Sequence, residues 1–300
     1  MVVRVSEAVT VRPMRTGDID ESEALTGAAF HALDVATQPA DWPLPVARSD
    51  ARRQAWRRRC SHLLAHDARG CWVAEDDSGL VGVATSLRRE TMWILSSFAV
   101  REGAQGQGVG SRLLEAALTH SEGCIRGMID SSHDPRAVRR YHRAGFTIHP
   151  HMLVHGVVER SRIPIVEHVR DGSLGDLEMM NSVDRLVRDA AHLVDHEFLV
   201  HEHSLRVVDD TTGSGYVYVP PDGGAYLLAA TNRRTASRLL WDALAATRAN
   251  EQVTVDCLTG EQDWAVDVAT EAGLAVYQRG YLALRFMKPP APYIPSPHFL

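Results

Sequence analysis

The chain has 300 residues, 45% of them hydrophobic and 23% charged, and carries a net charge of −6. That length accommodates two ordinary domains with their own cores, and the composition is that of a folded protein rather than a disordered one. The acidic balance, with no basic run longer than Arg57-Arg58-Arg59, argues against nucleic acid as the main partner, and Cys60, Cys71, Cys124 and Cys257 form no CxxC pair that would suggest a disulfide framework or a cysteine zinc site.

The N-terminus has no apolar leader and no stretch approaches the length of a membrane span, so a cytoplasmic protein without a membrane partner is expected. In chain order, Val9 to Val11 reads as a short strand and Asp18 to His31 as a helix. A loop over Gln38–Pro45 leads to an Arg-rich helix near Ala51 to His66. Three strands follow at Cys71–Ala74, Leu80–Ala84 and Trp93–Val100, with Asp76-Asp77-Ser78-Gly79 as a hairpin turn. A glycine-rich segment precedes a helix from Ser111 to Thr119, then a strand at Met128-Ile129. Asp134 followed by Pro135 is a strong helix start, a side-chain cap with Pro at the first helical position. Gly145 ends that helix, and Phe146 to Val154 returns as a strand.

The second half repeats this plan. Val11-Arg12 with Gly17-Asp18 is echoed by Val169-Arg170 with Gly175-Asp176, Ser111-Arg112-Leu113-Leu114 by Ser237-Arg238-Leu239-Leu240, and Ala144-Gly145-Phe146 by Ala272-Gly273-Leu274. Three echoes in one order indicate an internal duplication, with its joint near Val158 to Pro164. Pro289, Pro290, Pro292, Pro295 and Pro297 make the end an extended tail, neither helix nor central strand.

The segment Gln105-Gly106-Gln107-Gly108-Val109-Gly110 lies between a strand and a helix. Glycines there let the backbone approach a ligand, and first-turn N–H groups without helical partners point at a phosphate. A plain flexible turn is the bland alternative, but alternate glycines leading straight into a helix exceed what a turn requires. No Gly-Lys-Ser/Thr follows, which excludes a nucleoside-triphosphate loop. A dinucleotide or S-adenosylmethionine fold stays open here, because Asp130 ends the next strand about where a ribose-binding acid would sit. Against it, Ser111 holds the last glycine position and the motif lies deep in the chain.

The order Leu95-Ser96-Ser97-Phe98-Ala99-Val100, Gln-x-x-Gly-x-Gly, strand, Tyr141-His142-Arg143-Ala144-Gly145-Phe146 resembles the GNAT superfamily of N-acetyltransferases over residues 8 to 155. The echoing half resembles a degenerate copy, as in tandem-GNAT proteins. The resemblance implies an α/β protein of mixed α+β sheets: a catalytic GNAT domain binding acetyl-CoA at 1–157, and a degenerate GNAT-like domain with a Pro-rich tail at 158–300. It implies that the backbone of Phe98, Ala99 and Val100 pairs with the pantetheine arm, and that the Phe98 N–H polarises the thioester carbonyl. Backbone N–H groups of Gln105, Gly106, Gln107, Gly108, Val109 and Gly110, with Ser111 opening the helix, would hold the pyrophosphate. Asp134 stands where many members have an Asn that contacts the CoA arm. Tyr141 would protonate the departing thiolate; the alternative for Tyr141 is a packed helix face.

The chain departs from the family four residues before Phe98, where Ile94 replaces the Glu or His that serves many members as base. Glu90, His133 and the C-terminal half or its tail are candidates for that role. Aligning the Ser-Arg-Leu-Leu echoes sets Thr231, Arg234 and Ala236 opposite Gln105, Gly108 and Gly110, and the Ala-Gly echo sets Ala269 opposite Tyr141, so the second copy is expected not to bind CoA. His192 and His196 are four apart, as zinc ligands on a helix can be, with a polar helix end as the bland reading; no metal is expected. The function implied is transfer of an acetyl group from acetyl-CoA to a primary amine by direct attack. A non-catalytic acetyl-CoA sensor is the alternative, and an S-adenosylmethionine- or NAD-dependent enzyme a more distant one. Monomer and homodimer are both compatible with the sequence.

Overall fold

The computed structural model describes residues 9–37, 42 and 44–300. The loop expected over Gln38–Pro45 lies mostly outside the described residues, as does the N-terminal stretch through Ala8. The chain divides into two compact units, residues 1–88 with 93–124 and residues 89–92 with 125–300.

The first unit holds β1 (Thr10–Pro13), α1 (Ile19–Thr37), α2 (Asp50–Asp67), β2 (Cys71–Asp76), β3 (Gly79–Arg89), β4 (Met92–Val100) and α3 (Val109–Leu118), with sheet order β1-β2-β3-β4. The expected hairpin is present: Asp76 Oδ1 accepts from the Ser78 N–H at 2.8 Å, and Asp76 pairs with Gly79 in register. β3 runs past its expected end at Ala84 because Thr85 and Ser86, polar in sequence, are buried in the strand; the Ser86 hydroxyl donates to the Gly70 carbonyl at 3.2 Å. α1 likewise outlasts its expected end at His31, since no Gly or Pro lies between His31 and Thr37. Val73, Val83, Leu87, Ile94 and Leu113 are fully buried and form the apolar interior.

The second unit contains β5 (Arg126–Ser131), α4 (Pro135–Arg143), β6 (Thr147–Val157), β7 (Arg170–Asp171), α5 (Leu177–Arg188) and α6 (Val194–Glu202). It continues with β8 (Ser204–Asp210), β9 (Gly213–Val219), β10 (Leu227–Ala230), α7 (Arg233–Ala245), β11 (Gln252–Leu258), α8 (Asp263–Glu271), β12 (Ala275–Arg285) and β13 (Tyr293–Ile294). One sheet has the order β13-β10-β9-β8-β7, so the tail supplies an edge strand. A second group runs β5-β12-β6-β11, every pair antiparallel. β5 and β6 come from the first half of the chain, β11 and β12 from the second. Each half's last strand therefore lies beside the other half's preceding strand, β12 on β5 and β6 on β11, with β6 and β12 joined between them. The joint at 157/158 separates repeats of sequence, whereas hydrogen bonding runs across it.

The two halves follow one order of elements. Each half reads strand, two helices, three strands, helix, strand, helix, strand. Arg12 pairs with Asp18, which also accepts the Arg15 N–H at 2.7 Å; Arg170 pairs with Asp176, which accepts the Ser173 N–H at 2.8 Å. The helix ends match too, with the Phe146 N–H on the Tyr141 carbonyl at 3.2 Å and the Leu274 N–H on the Ala269 carbonyl at 2.9 Å. Leu239, Leu240, Leu244, Val255, Ala265 and Ala269 lie in the second unit's core, fully buried.

Candidate functional site

β4 ends at Val100, and residues 101–108 lead from it into α3. Two side chains shape this loop: Gln105 Nε2 donates to the Val100 carbonyl at 2.9 Å and Gln107 Nε2 to the Gly103 carbonyl at 3.1 Å. Gly106 and Gly108 have φ of 80° and 85°, the left-handed region that favours glycine. A Cβ on either would meet no heavy atom within 4 Å, so the loop faces open space. Gly108 precedes α3 without a side-chain cap, and no acidic residue lies in the first turn. The N–H groups of Ser111 and Arg112 close on the Gly108 carbonyl, which leaves the N–H groups ahead of them outside the helical ladder. Partial positive charge and unused donors at one point suit an anion. Two details differ from the sequence reading. The helix opens at Val109 rather than Ser111, because Gly108 takes the left-handed cap conformation, and the Gln105 N–H is already bonded to the Glu102 carbonyl at 3.2 Å. On β4, Ala99 is buried and Phe98 and Val100 are half-buried, while Ile94 is sealed from solvent and has no proton-accepting group.

In the second unit, Asp134 caps α4 as the Asp-Pro pair requires, accepting from the Arg136 N–H at 2.8 Å and pairing with its guanidinium at 2.8 Å. Burial opposes its charge, but these Arg136 contacts prevail and hold the carboxyl below its ordinary range. Tyr141 is 4% exposed on α4, and burial pushes its phenol well above the usual value, so it holds its proton across the neutral range.

The second copy differs at the corresponding points. Only Thr231 and Asn232 separate β10 from α7, so the glycine loop is missing rather than substituted; the sequence alignment of Arg234 with Gly108 is corrected accordingly. Asn232 takes the cap position and accepts from the Thr235 N–H at 2.9 Å. β13 pairs with β10, Leu228 opposite Ile294 and Ala229 opposite Tyr293, and Tyr293, Ile294, Phe299 and Leu300 are buried.

A polar centre that sequence reasoning missed lies on the exchanged strands. His151 of β6 is 1% exposed, with Nε2 3.0 Å from Asp130 Oδ1 of β5 and Nδ1 3.6 Å from Asp256 Oδ1 of β11. Arg279 Nε is 3.7 Å from Asp256, and the Sγ of buried Cys257 lies within 4.8 Å of a carboxylate oxygen of Asp130. Two irregularities in the ladders aim these groups: one between Val255 and Leu258, where Cys257 takes φ 61°, and one between Gln278 and Gly280. Asp130 and Asp256 end equivalent strands of the two copies, and His151 and Arg279 are likewise equivalent when the Ala-Gly echoes are aligned. The duplication itself was the one sequence signal available for grouping them. Asp130, considered above as a ribose-binding acid, is instead the partner of His151.

The base candidates separate by environment. Glu90 pairs with Arg185 at 2.8 Å and accepts the Ala191 N–H at 3.0 Å, so both its oxygens are engaged. His133 is half-buried, edge-on to Tyr281 with ring centroids 6.1 Å apart, and lines an open pocket with Pro135, Val138, Arg139 and Tyr281. Burial, then the nearby cations, lower its pKa and favour the neutral ring. His192 and His196 do not share a helix as expected: His192 precedes α6, where Leu193 has φ 53°. Both are buried on Asp184, which accepts from His192 Nδ1 at 2.7 Å, His196 Nε2 at 3.0 Å, the His192 N–H and the Tyr216 hydroxyl. This is an internal network of the second unit rather than a polar helix end.

No curated protein sequence matches the chain. The family model described as "Acetyltransferase (GNAT) domain" matches residues 67–148. Among solved structures, a putative acetyltransferase from Pyrococcus horikoshii is similar over 99% of this chain and 97% of its own, with a TM-score of 0.74 at 15% identity. GCN5-related N-acetyltransferases from Sphaerobacter thermophilus (92% and 95% covered, TM-score 0.57, 16% identity) and Kribbella flavida (93% and 71%, TM-score 0.57, 14% identity) share the fold as well. Residues 67–148 thus match the acetyltransferase (GNAT) family model, and the fold of the chain is that of the GCN5-related N-acetyltransferases.

Proposed function

We propose that the chain transfers the acetyl group of acetyl-CoA to a primary amine, with residues 1–157 as the catalytic repeat and 158–300 as a repeat that binds no CoA. The observation that carries this reading is the contrast between the open, glycine-built N-terminus of α3 and the Asn232-capped N-terminus of α7. Loop N–H groups from Gly106 to Gly110 would hold the pyrophosphate, and β4 residues Phe98 to Val100 the pantetheine arm. The amine nitrogen attacks the thioester carbon, and charge collects on the carbonyl oxygen facing the Phe98 N–H. The C–S bond then breaks and Tyr141 supplies the thiolate's proton. An acceptor that arrives as an ammonium ion must first lose a proton, and His133, neutral and facing a pocket, is suited to take it.

Two measurements test this reading: acetyl-CoA titration by calorimetry, expected to give one site per chain, and free-thiol release with a panel of primary amines. Saturable binding without thiol release would favour the sensor reading, for which the apolar Ile94 in place of a base speaks. No binding of acetyl-CoA would refute both.

A further inference from the structure

The polar centre on the exchanged strands has the donor set of a metal site. A carboxylate oxygen of Asp130, a ring nitrogen of His151 and Cys257 Sγ lie within 4.8 Å of one another, a carboxylate, an imidazole and a thiol from three different strands. We infer that these side chains bind a divalent transition-metal ion of the zinc type, which would pin β5, β6 and β11 together. The site uses none of the side chains assigned a step in acetyl transfer, and it runs against the sequence expectation of no metal.

Zinc takes sulfur at about 2.3 Å and nitrogen or oxygen at about 2.0–2.2 Å, so tetrahedral ligands stand roughly 3.3–3.8 Å apart. Asp130 and His151 are already near that separation at 3.0 Å. Side-chain shifts on the order of an ångström would close the set around an ion. The surroundings follow the usual pattern for a ligating histidine, whose second nitrogen faces a carboxylate. His151 Nδ1 has no hydrogen-bond partner among the described residues, and the oxygen it faces, Asp256 Oδ1, is 3.6 Å away; Asp256 in turn is near Arg279. The backbone is arranged for this centre as well. Cys257 holds a left-handed conformation that a non-glycine residue adopts at a cost, and a Cβ at Gly280 would stand 3.4 Å from His151 Nε2 and collide with the Ser131 carbonyl. Asp130 and Asp256, with side chains 21% and 31% exposed, leave a way in. An ammonium group would also be drawn by the two carboxylates, but it has no use for a buried thiol beside an imidazole. The linear sequence hid the set because each strand contributes a single ligand.

Cobalt(II) titration of the full-length chain after chelator treatment tests the inference. One equivalent should bind with a thiolate-to-cobalt charge-transfer band. Cys257→Ser should abolish the band and weaken binding by roughly 100-fold or more, and Asp256→Asn should weaken it by about 10- to 100-fold with the band retained. Asp130→Asn, nearly the same size, serves as the second ligand variant should Cys257→Ser fail to fold, and should also weaken binding by roughly 100-fold. Absence of the band in the wild-type chain, or equal cobalt affinity in the folded ligand variants, overturns the proposal. So does spermidine binding by the metal-free chain that Asp130→Asn removes and Cys257→Ser leaves intact, which would reassign the centre to an ammonium group.

Discussion

Gly108 and Asn232 occupy the same point of the two repeats, one residue before the third-sheet-strand helix of each half, and they meet the helix in opposite ways. Gly108 offers no side chain and leaves the first turn open, while Asn232 closes its own helix by accepting from the Thr235 N–H. Gly108→Arg should therefore remove acetyl-CoA binding, since the side chain would fill the space before the loop and the left-handed backbone would be strained. Asn232→Ala should instead lower stability by about 0.5–2 kcal/mol, the worth of a cap, with acetyl-CoA affinity unchanged. Calorimetry and thermal melts on both variants distinguish the two roles, and retained affinity in folded Gly108→Arg would contradict the loop assignment.

Tyr141 carries a different prediction. Its phenol is buried and carries its proton across the neutral range, although burial also makes it a weaker acid than an exposed phenol. Tyr141→Phe keeps the ring and its packing and removes the hydroxyl, so turnover should fall by roughly 10²-fold with cofactor affinity nearly intact. Full activity in this variant, measured by thiol release, would leave Tyr141 as a packing residue of α4.

Much of the candidate site was legible because its signals are local. The Asp134-Pro135 cap and the Asp76–Gly79 hairpin depend on neighbours within a few residues and form as read, and the glycine run joins strand to helix as expected although its helix opens at Val109. What the sequence withheld is pairing between distant strands. Alternation in Thr147–Val157 says that it is a strand but not that β11 and β12 flank it, and nothing local brings His151 to Asp130 and Cys257. The missing loop before α7 was also hidden, because a gapless alignment had residues to place opposite every glycine. Buried Thr85 and Ser86 misled in the other direction, their polarity shortening a strand that their hydrogen bonds sustain.

Two histidines, the buried His192 and the half-buried His203, make stability fall in mild acid. His192, through burial and then Arg188, and His203, through burial, are both held down at about 4. Their unfolded pKa is near 6.5, so both add stability above that pH, and the contribution is lost as pH falls from about 6.5 towards 4, where the unfolded chain binds protons that the folded one does not. Each proton taken up gives a slope of about 1.4 kcal/mol per pH unit. Urea melts across this range should show the loss, and His203→Phe should make the slope shallower by about one proton. A flat stability profile from pH 7 to 4 would contradict the neutral state of both rings.

Removing residues 291–300 should destabilise the second unit without touching the first repeat's acetyl-CoA site. The deletion takes away β13 and the buried Tyr293, Ile294, Phe299 and Leu300, leaving Leu228 and Ala229 of β10 on an open sheet edge. A lower melting temperature and a tendency to associate are expected, with acetyl-CoA stoichiometry still one per chain in the fraction that stays folded. Loss of acetyl-CoA binding in well-folded truncated protein would mean that the tail belongs to the cofactor site.

The strand exchange makes the strongest demand on the chain as a whole. In the second unit β6 bonds to β12 along one edge and β11 along the other, and β5 bonds to β12 as well. A fragment ending at residue 157 keeps β5 and β6 but loses both of these partner strands from the second half. Val154 sits in an apolar cluster built mostly from residues beyond 200, including Val253, Val255 and Leu274, so the fragment would also leave Val154 uncovered. Unpaired edges with an apolar face recruit other strands, and the nearest substitute is the same strand of another copy. Residues 1–157 expressed alone should therefore dimerise or aggregate instead of forming a stable monomer, although they span every residue of the proposed catalytic repeat. Co-expression with residues 158–300 should restore a soluble one-to-one pair, because β11 and β12 then return to β6 by association instead of by chain connectivity. Size-exclusion chromatography with light scattering reads both outcomes. A monodisperse, cooperatively melting 1–157 monomer would show that the exchanged strands are dispensable to the first repeat.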